Sequence, residues 1–98
     1  MIAYTTPTFT LKVPNTVDLT AAQNVCFTMK QDPVAITKEH LEPEEHQVSV
    51  YLTQAESGTF KEGKAKIQLN WTYEGGGRGA TKWKQINIEE NLLKKVIE

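Results

Sequence analysis

The sequence carries one local pattern twice: an alternating strand that ends in Leu-Thr and continues into a capping box. The first copy is Leu19–Gln23 and the second is Leu52–Glu56. In a capping box, the threonine accepts a hydrogen bond from the backbone N–H three residues on, and the Gln or Glu at that position bonds back to the threonine N–H. Each copy therefore predicts a single helical turn at a corner between two strands, with Thr20 and Thr53 as N-caps.

Alternation of apolar and polar residues dominates the remainder of the chain, and this period of two is typical of strands that bury one face. The residues assigned to the buried face are Phe9, Leu11, Val13, Val25, Phe27, Met29, Val34, Ile36, Val48, Val50, Leu52, Ala65, Ile67, Leu69, Trp71 and Tyr73. With turn signals about every ten residues, the pattern predicts an all-β fold in a single domain over 1–98. We expect an antiparallel β-sandwich of about seven strands with immunoglobulin-like architecture.

The last predicted strand, at about 80–88, does not keep this alternation. It follows a glycine-rich stretch, Gly75–Gly79, which predicts a flexible hairpin loop. Trp83 falls on the opposite face from Ile86 and Ile88, so we expect a β-bulge between them. Because it is out of phase with its neighbours, Trp83 is a candidate contact residue.

The C-terminal segment has helical rather than alternating spacing. Its apolar residues are Leu92, Leu93, Val96 and Ile97. With Asn87 as a candidate N-cap, they predict a short helix over 89–98, which is marginal alone and needs a surface to pack on. We expect it to close the open end of the sandwich. If it packs on another molecule instead, Leu93 and Ile97 are interface residues.

Composition argues against several classes of protein. The formal net charge of the 98 residues is −1, so no strong field attracts nucleic acid or anionic lipid, and we expect neither a nucleic acid nor a membrane as partner. The N-terminus lacks the pattern of a signal peptide, and no segment is long enough to cross a bilayer. A single cysteine, Cys26, excludes an internal disulfide and is compatible with folding in a cytoplasm.

No residue cluster has the spacing of a catalytic or metal site. His40 and His46 flank glutamates in a polar stretch at 38–46, but their separation matches no ligand pattern, and a solvated acidic loop is favoured. The glycine stretch precedes a strand, whereas a phosphate-binding loop precedes a helix. Cys26 has no histidine near it in sequence to activate a thiolate. We expect no enzymatic activity, no cofactor, no metal and no small-molecule ligand.

Six segments carry a resemblance to a known group of proteins. They are Tyr4–Leu11, Val17–Thr20, Phe27–Gln31, Val50–Gln54, Ile67–Trp71 and Leu92–Ile97. They resemble small proteins that phages and prophages of Gram-positive bacteria encode within virion structural gene clusters. The layout is also similar to the N-terminal domain of baseplate upper proteins of lactococcal-type phages, a β-sandwich that attaches receptor-binding parts to the tail.

The resemblance implies a non-enzymatic structural or assembly protein of a phage virion, such as a tail or baseplate component, that acts through protein–protein contacts. It implies other phage structural proteins or further copies of the chain as partners, and a location in the virion or, before assembly, in the host cytoplasm. The candidate interface residues are Trp83, Leu93 and Ile97. An alternative from a different class is a carbohydrate-binding β-sandwich module, in which Trp83 stacks on sugar rings.

Overall fold

Seven strands and two short helical turns make up the computed structural model, which describes all of residues 1–98. In chain order they are β1 (Thr8–Lys12), a 3₁₀ turn (Leu19–Ala21), β2 (Asn24–Gln31), β3 (Val34–Lys38), β4 (Gln47–Tyr51), α1 (Gln54–Ser57), β5 (Gly63–Thr72), β6 (Arg78–Ala80) and β7 (Lys84–Ile88). All strand pairs are antiparallel, which confirms the prediction of an all-β fold. No helix has the length and apolar character needed to span a membrane.

The strands form two sheets. β1 pairs only with β4, in a two-stranded sheet in which Phe9 lies opposite Val50. In the second sheet the order is β3-β2-β5, and both β6 and β7 pair with the remaining side of β5. β5 is ten residues long, so the two short strands fit one after the other along it.

The strand predicted at about 80–88 is interrupted between β6 and β7. At this interruption a side-chain oxygen takes the place of a backbone acceptor: the Thr81 hydroxyl oxygen accepts a hydrogen bond from Leu69 N at 3.1 Å. β7 then resumes pairing with β5, and Ile88 is buried in the core. A break in the strand thus takes the place of the expected bulge, and Trp83 remains on the outer face of the sheet, beside Lys66.

Both sheets contribute to one hydrophobic core. Phe9 of β1 and Phe27 of β2 stack with their ring centroids 5.9 Å apart, so the two sheets are in direct contact. Burial alternates along β2, β4 and β5 as the sequence predicts, and Trp71 belongs to the core. A fully buried Leu or Phe side chain contributes about 1.5–3 kcal/mol, so this shared core is the main source of stability.

Of the two predicted capping boxes, one is confirmed and one is wrong. Thr53 Oγ1 accepts from Glu56 N at 3.2 Å, and Glu56 Oε1 accepts from Thr53 N at 2.9 Å. At the first corner the N-cap is Asp18, whose carboxylate accepts from Thr20 N at 2.9 Å. Aspartate is a better N-cap than threonine. Gln23 is also unavailable for a box, because its backbone N–H joins the sheet.

The predicted C-terminal helix is wrong. Beyond Ile88 the chain runs beside the N-terminus, where Ile2 and Glu89 form a parallel bridge and Ala3 N donates to Glu89 O at 3.0 Å. Residues 90–98 then continue without helix or strand. A helix of about two turns gains too little from its own hydrogen bonds to compete with this pairing.

Candidate functional site

The most exposed apolar surface lies on residues 90–98, called here the terminal segment. Its four large apolar side chains are exposed to 96% (Leu92), 47% (Leu93), 44% (Val96) and 61% (Ile97). Ile2, at the adjoining end of the chain, is exposed to 45%. Single exposed apolar residues are normal on a protein surface, whereas a group gathered in one segment is typical of an interaction site.

Side-chain hydrogen bonds hold the terminal segment against the domain at two places. Near its start, Asn91 Nδ2 donates to Ala3 O at 3.0 Å, and Asn91 Oδ1 accepts from Leu93 N at 3.0 Å. Near its end, the side-chain amide of Gln54 bonds to both the N–H and the carbonyl of Ile97. The backbone is therefore fixed by polar contacts while the apolar side chains face water.

An ion pair lies within the terminal segment. Lys94 Nζ is 2.6 Å from Glu90 Oε1, one helical turn apart in sequence but outside any helix. This hydrogen bond lowers the pKa of the Glu90 carboxyl and raises the pKa of the Lys94 ammonium. Because both groups are exposed, the pair orients the segment more than it stabilises the fold.

A cavity of about 420 Å³ adjoins the terminal segment and shares Glu90, Asn91 and Lys94 with it. Tyr4 lines this cavity with a backbone φ of 63°, an uncommon conformation for a residue other than glycine. The ring of Tyr4 covers Gly58 so closely that a Cβ there would lie 2.4 Å from it. A partner that covered the terminal segment would therefore also reach the rim of this cavity.

Trp83 immediately precedes strand β7 in the chain, whereas the terminal segment follows that strand. Its side chain is 53% exposed, and Lys66 Nζ lies 4.2 Å from the ring centroid. Such a cation–π contact contributes about 0.5–1 kcal/mol at an exposed site. The three candidate interface residues thus divide into two groups, because Leu93 and Ile97 follow β7 whereas Trp83 precedes it.

The structure also places the remaining residues that the sequence singled out, Cys26 and His46. Burial raises the pKa of the Cys26 thiol, and its only side-chain partner is Asn24 Oδ1 at 3.5 Å, so the reactive thiolate is disfavoured. His46 Nδ1 is 2.7 Å from Val17 O, which fixes the ring in the loop. No group of three or more His, Cys, Asp or Glu side chains is close enough to hold a metal ion.

The glycine stretch forms the predicted hairpin. Tyr73 N donates to Gly77 O at 2.9 Å, and Gly76 N donates to Tyr73 O at 3.1 Å, which closes the turn between β5 and β6. Gly75 and Gly76 both have a φ of 95°, a region that residues with a Cβ rarely adopt. The turn leads into a strand, so it offers no helix N-terminus to a phosphate.

Two contributors to this surface gave no signal in the sequence. Gln54 is an ordinary residue in the first turn of α1, and its contact with Ile97 joins positions 43 residues apart. Asn91 reads as one polar residue in a predicted helix, yet it bonds to Ala3 across 88 positions. Only the tertiary fold brings these pairs together.

Comparisons of the chain with protein-family models, with curated proteins and with solved structures found no match.

Proposed function

We propose that the protein is a non-enzymatic structural or assembly component that acts through protein–protein contacts, with the terminal segment as its main interface. The observation that carries this proposal is the exposure of Leu92, Leu93, Val96 and Ile97 in a segment whose backbone is already held in place. Leu93 and Ile97 keep the interface role that the sequence analysis gave them.

The energetics of association favour such a segment. Full burial of an apolar side chain of this size contributes about 1.5–3 kcal/mol. Part of this free energy is normally lost on binding, because flexible groups become ordered. The bonds from Asn91 and Gln54 have already ordered the backbone, so less of the gain is lost. A partner with an apolar patch would therefore bind the segment as a pre-organised surface.

Free strand edges offer a second route to contact. β1 and β4 pair only with each other, so each has one edge without a neighbouring strand. β3 likewise ends its sheet. An extended segment of another protein can add to such an edge through backbone hydrogen bonds. The exposed Lys12 at the end of β1 limits non-specific pairing at that edge.

For the biological setting we propose a phage virion, in a tail, baseplate or other component, with the host cytoplasm as the location before assembly. The resemblance of the sequence to small virion proteins supports this setting. We also propose that the two sheets form an immunoglobulin-like β-sandwich, as in the domain that the layout resembles. The Phe9–Phe27 stacking and the single shared core support that architecture.

The experiment that tests the proposed interface uses the full chain as bait in a pull-down from a phage-producing lysate or from purified particles. The variant L93S/I97S changes two exposed side chains without removing a buried one, so it is expected to fold and to lose the partner. The matched control is Y51S, which removes an apolar side chain exposed to 61% on a different surface. The proposed interface is contradicted if only Y51S loses the partner, or if both variants still bind it.

A carbohydrate-binding role is a second candidate, which the exposure of Trp83 favours. The ammonium group of Lys66, next to the Trp83 ring, is of a kind that binds sugar hydroxyls. A glycan array probed with the native chain and with W83A distinguishes the two functions. Binding that the substitution removes supports the carbohydrate role, and absence of binding rejects it.

A further inference from the structure

One end of the outer face of the five-stranded sheet is polar and basic. The residues that line a shallow groove of about 350 Å³ there are Lys30, Gln31, Asp32, Lys64, Lys66 and Gln85. Lys30 forms an ion pair with Asp32 at 3.4 Å. Lys64 and Lys66 have no carboxylate partner in the chain. With three lysines and one aspartate, this basic groove has a formal charge of +2.

The sheet register explains why the lysines gather. Lys30 lies directly opposite Lys66 across β2 and β5, and Gln85 of β7 lies opposite Lys66 on its other side. Like charges that face each other across strands are unfavourable. Only one of the two lysines has an acidic neighbour, and the other lies against the ring of Trp83. An anionic group placed between these strands would therefore reduce the repulsion between the two lysines.

The loop between β3 and β4 carries the opposite charge. Its four exposed glutamates are Glu39, Glu42, Glu44 and Glu45. Only Glu45 has a basic side chain at ion-pair distance, since Nε2 of the adjacent His46 lies 3.7 Å from its Oε2. The backbone N–H groups of His40 and Leu41 both bond to β2, at 2.8 Å and 3.1 Å, so the loop is fixed to the sheet. We call residues 39–45 the acidic loop.

The basic groove and the acidic loop lie at opposite ends of the same sheet. Leu41 bonds to Val25 near the beginning of β2, whereas Lys30 is near its end. Five residues of extended strand span about 17 Å. This distance is about twice the Debye length at physiological ionic strength, so the loop does not neutralise the groove of its own chain. Each copy of the protein thus presents two complementary charged surfaces at opposite ends of one sheet.

We propose that the basic groove binds the acidic loop of a second copy of the chain, in a head-to-tail contact. Charge complementarity selects this occupant, since the groove has a formal charge of +2 and the acidic loop carries four exposed glutamates. Because the two surfaces differ, the contact is heterologous, and repetition gives a closed ring or an open filament. The contact rests on the proposed role in protein–protein association and uses a surface separate from the terminal segment.

Charge-reversal variants test the contact by sedimentation velocity on the full chain. The native protein is expected to self-associate at about 0.05 M salt and to dissociate at about 0.5 M, where screening is strong. K64E/K66E and E42K/E44K are each expected to weaken self-association at least about tenfold. A mixture of the two variants should associate again, because each supplies the charge that the other's surface now needs. K12E/K82E is the control for K64E/K66E: it makes the same change in net charge at exposed lysines outside the groove, the acidic loop and the terminal segment, and it should behave as the native chain.

A single chain that carries all four substitutions is expected to self-associate as the native protein does, which also excludes unfolding as the cause of the losses. A native chain that stays monomeric at low salt overturns the contact, as does a mixture of variants that fails to associate. Self-association that is lost in L93S/I97S but unaffected by either charge-reversed pair also overturns it. That last result leaves the proposed function standing, because it assigns the association to the terminal segment.

Discussion

Gln54 and Ile97 exchange two hydrogen bonds across 43 positions of the chain. Gln54 Nε2 donates to Ile97 O at 3.1 Å, and Gln54 Oε1 accepts from Ile97 N at 2.8 Å. One side-chain amide therefore satisfies both backbone groups of Ile97, much as a neighbouring strand would. Because the Ile97 side chain is 61% exposed, this arrangement holds the backbone and leaves the apolar side chain facing water.

Replacing Gln54 with Ala is expected to release the end of the terminal segment without unfolding the domain. A hydrogen bond contributes about 0.5–1.5 kcal/mol net, so the Ile97 amide should exchange its proton severalfold to about tenfold faster. Native-state hydrogen exchange measures this change. Q23A is the control, since Gln23 has an exposed side chain without a side-chain bond. Equal exchange at Ile97 in the native chain and in Q54A would falsify the arrangement.

The two corners give a prediction about stability. T53A removes a capping-box acceptor, so it is expected to lower the free energy of unfolding by about 1 kcal/mol. D18A removes the N-cap of the first corner and is also expected to lower the free energy of unfolding. T20A should have a smaller effect, because Asp18 still accepts from the backbone N–H of residue 20. The corners lie at opposite ends of the β1–β4 sheet, so the effects of T53A and D18A should add. Urea denaturation of the three variants ranks their stabilities. If T20A is the least stable, Thr20 is the N-cap of the first corner, as the sequence predicted.

The difference between these corners shows how far sequence patterns determine the fold. The alternating strands and the Thr53 box were predictable because their chemistry lies within a few residues. The position of Trp83 outside the core also follows from its phase. The terminal segment was not predictable, since its fate depends on pairing between Ile2 and Glu89, at opposite ends of the chain. A local sequence pattern contains no information about a competing contact with the other end of the chain.

The close approach of β6 to Trp71 gives a prediction about packing. A Cβ on Gly79 would lie 2.4 Å from Cε2 of the Trp71 indole, well inside contact distance, and Trp71 is buried. G79A is therefore expected to destabilise the protein by about 1–3 kcal/mol through overpacking. G77A is the matched control in the same hairpin, because its Cβ would meet nothing closer than 3.7 Å. Chemical denaturation of both variants checks the prediction, and equal stabilities would contradict the packing.

Stability is expected to depend on pH through Glu56. A hydrogen bond from Lys38, with Nζ 2.8 Å from Oε1, and a second from the Thr53 backbone hold the pKa of the Glu56 carboxyl below its ordinary value of 4.5. A group whose pKa is lowered by folding stabilises the native state above its unfolded pKa. This contribution is lost as the pH falls from 4.5 through the lower folded value.

The variant E56Q tests this linkage. It cannot titrate, so its melting temperature should fall less steeply than that of the native chain as the pH is lowered below 4.5. At neutral pH, E56Q should be less stable than the native protein, because a neutral amide bonds Lys38 more weakly. E62Q is the control, since Glu62 is exposed and has no ion-pair partner. Parallel acid profiles for the native chain and E56Q would argue against the linkage.

Removal of residues 92–98 separates a structural role of the terminal segment from a binding role. The deletion keeps the Asn91–Ala3 bond and removes no residue of the buried core. The truncated domain is therefore expected to stay folded, with a melting temperature within a few degrees of the full chain. It should nevertheless lose the partner captured by the native protein, to the same extent as L93S/I97S. Thermal melts and the pull-down, made on the same preparations, check both parts. A large fall in melting temperature would mean that the apolar side chains stabilise their own domain, and it would remove the main argument for an interface at Leu93 and Ile97.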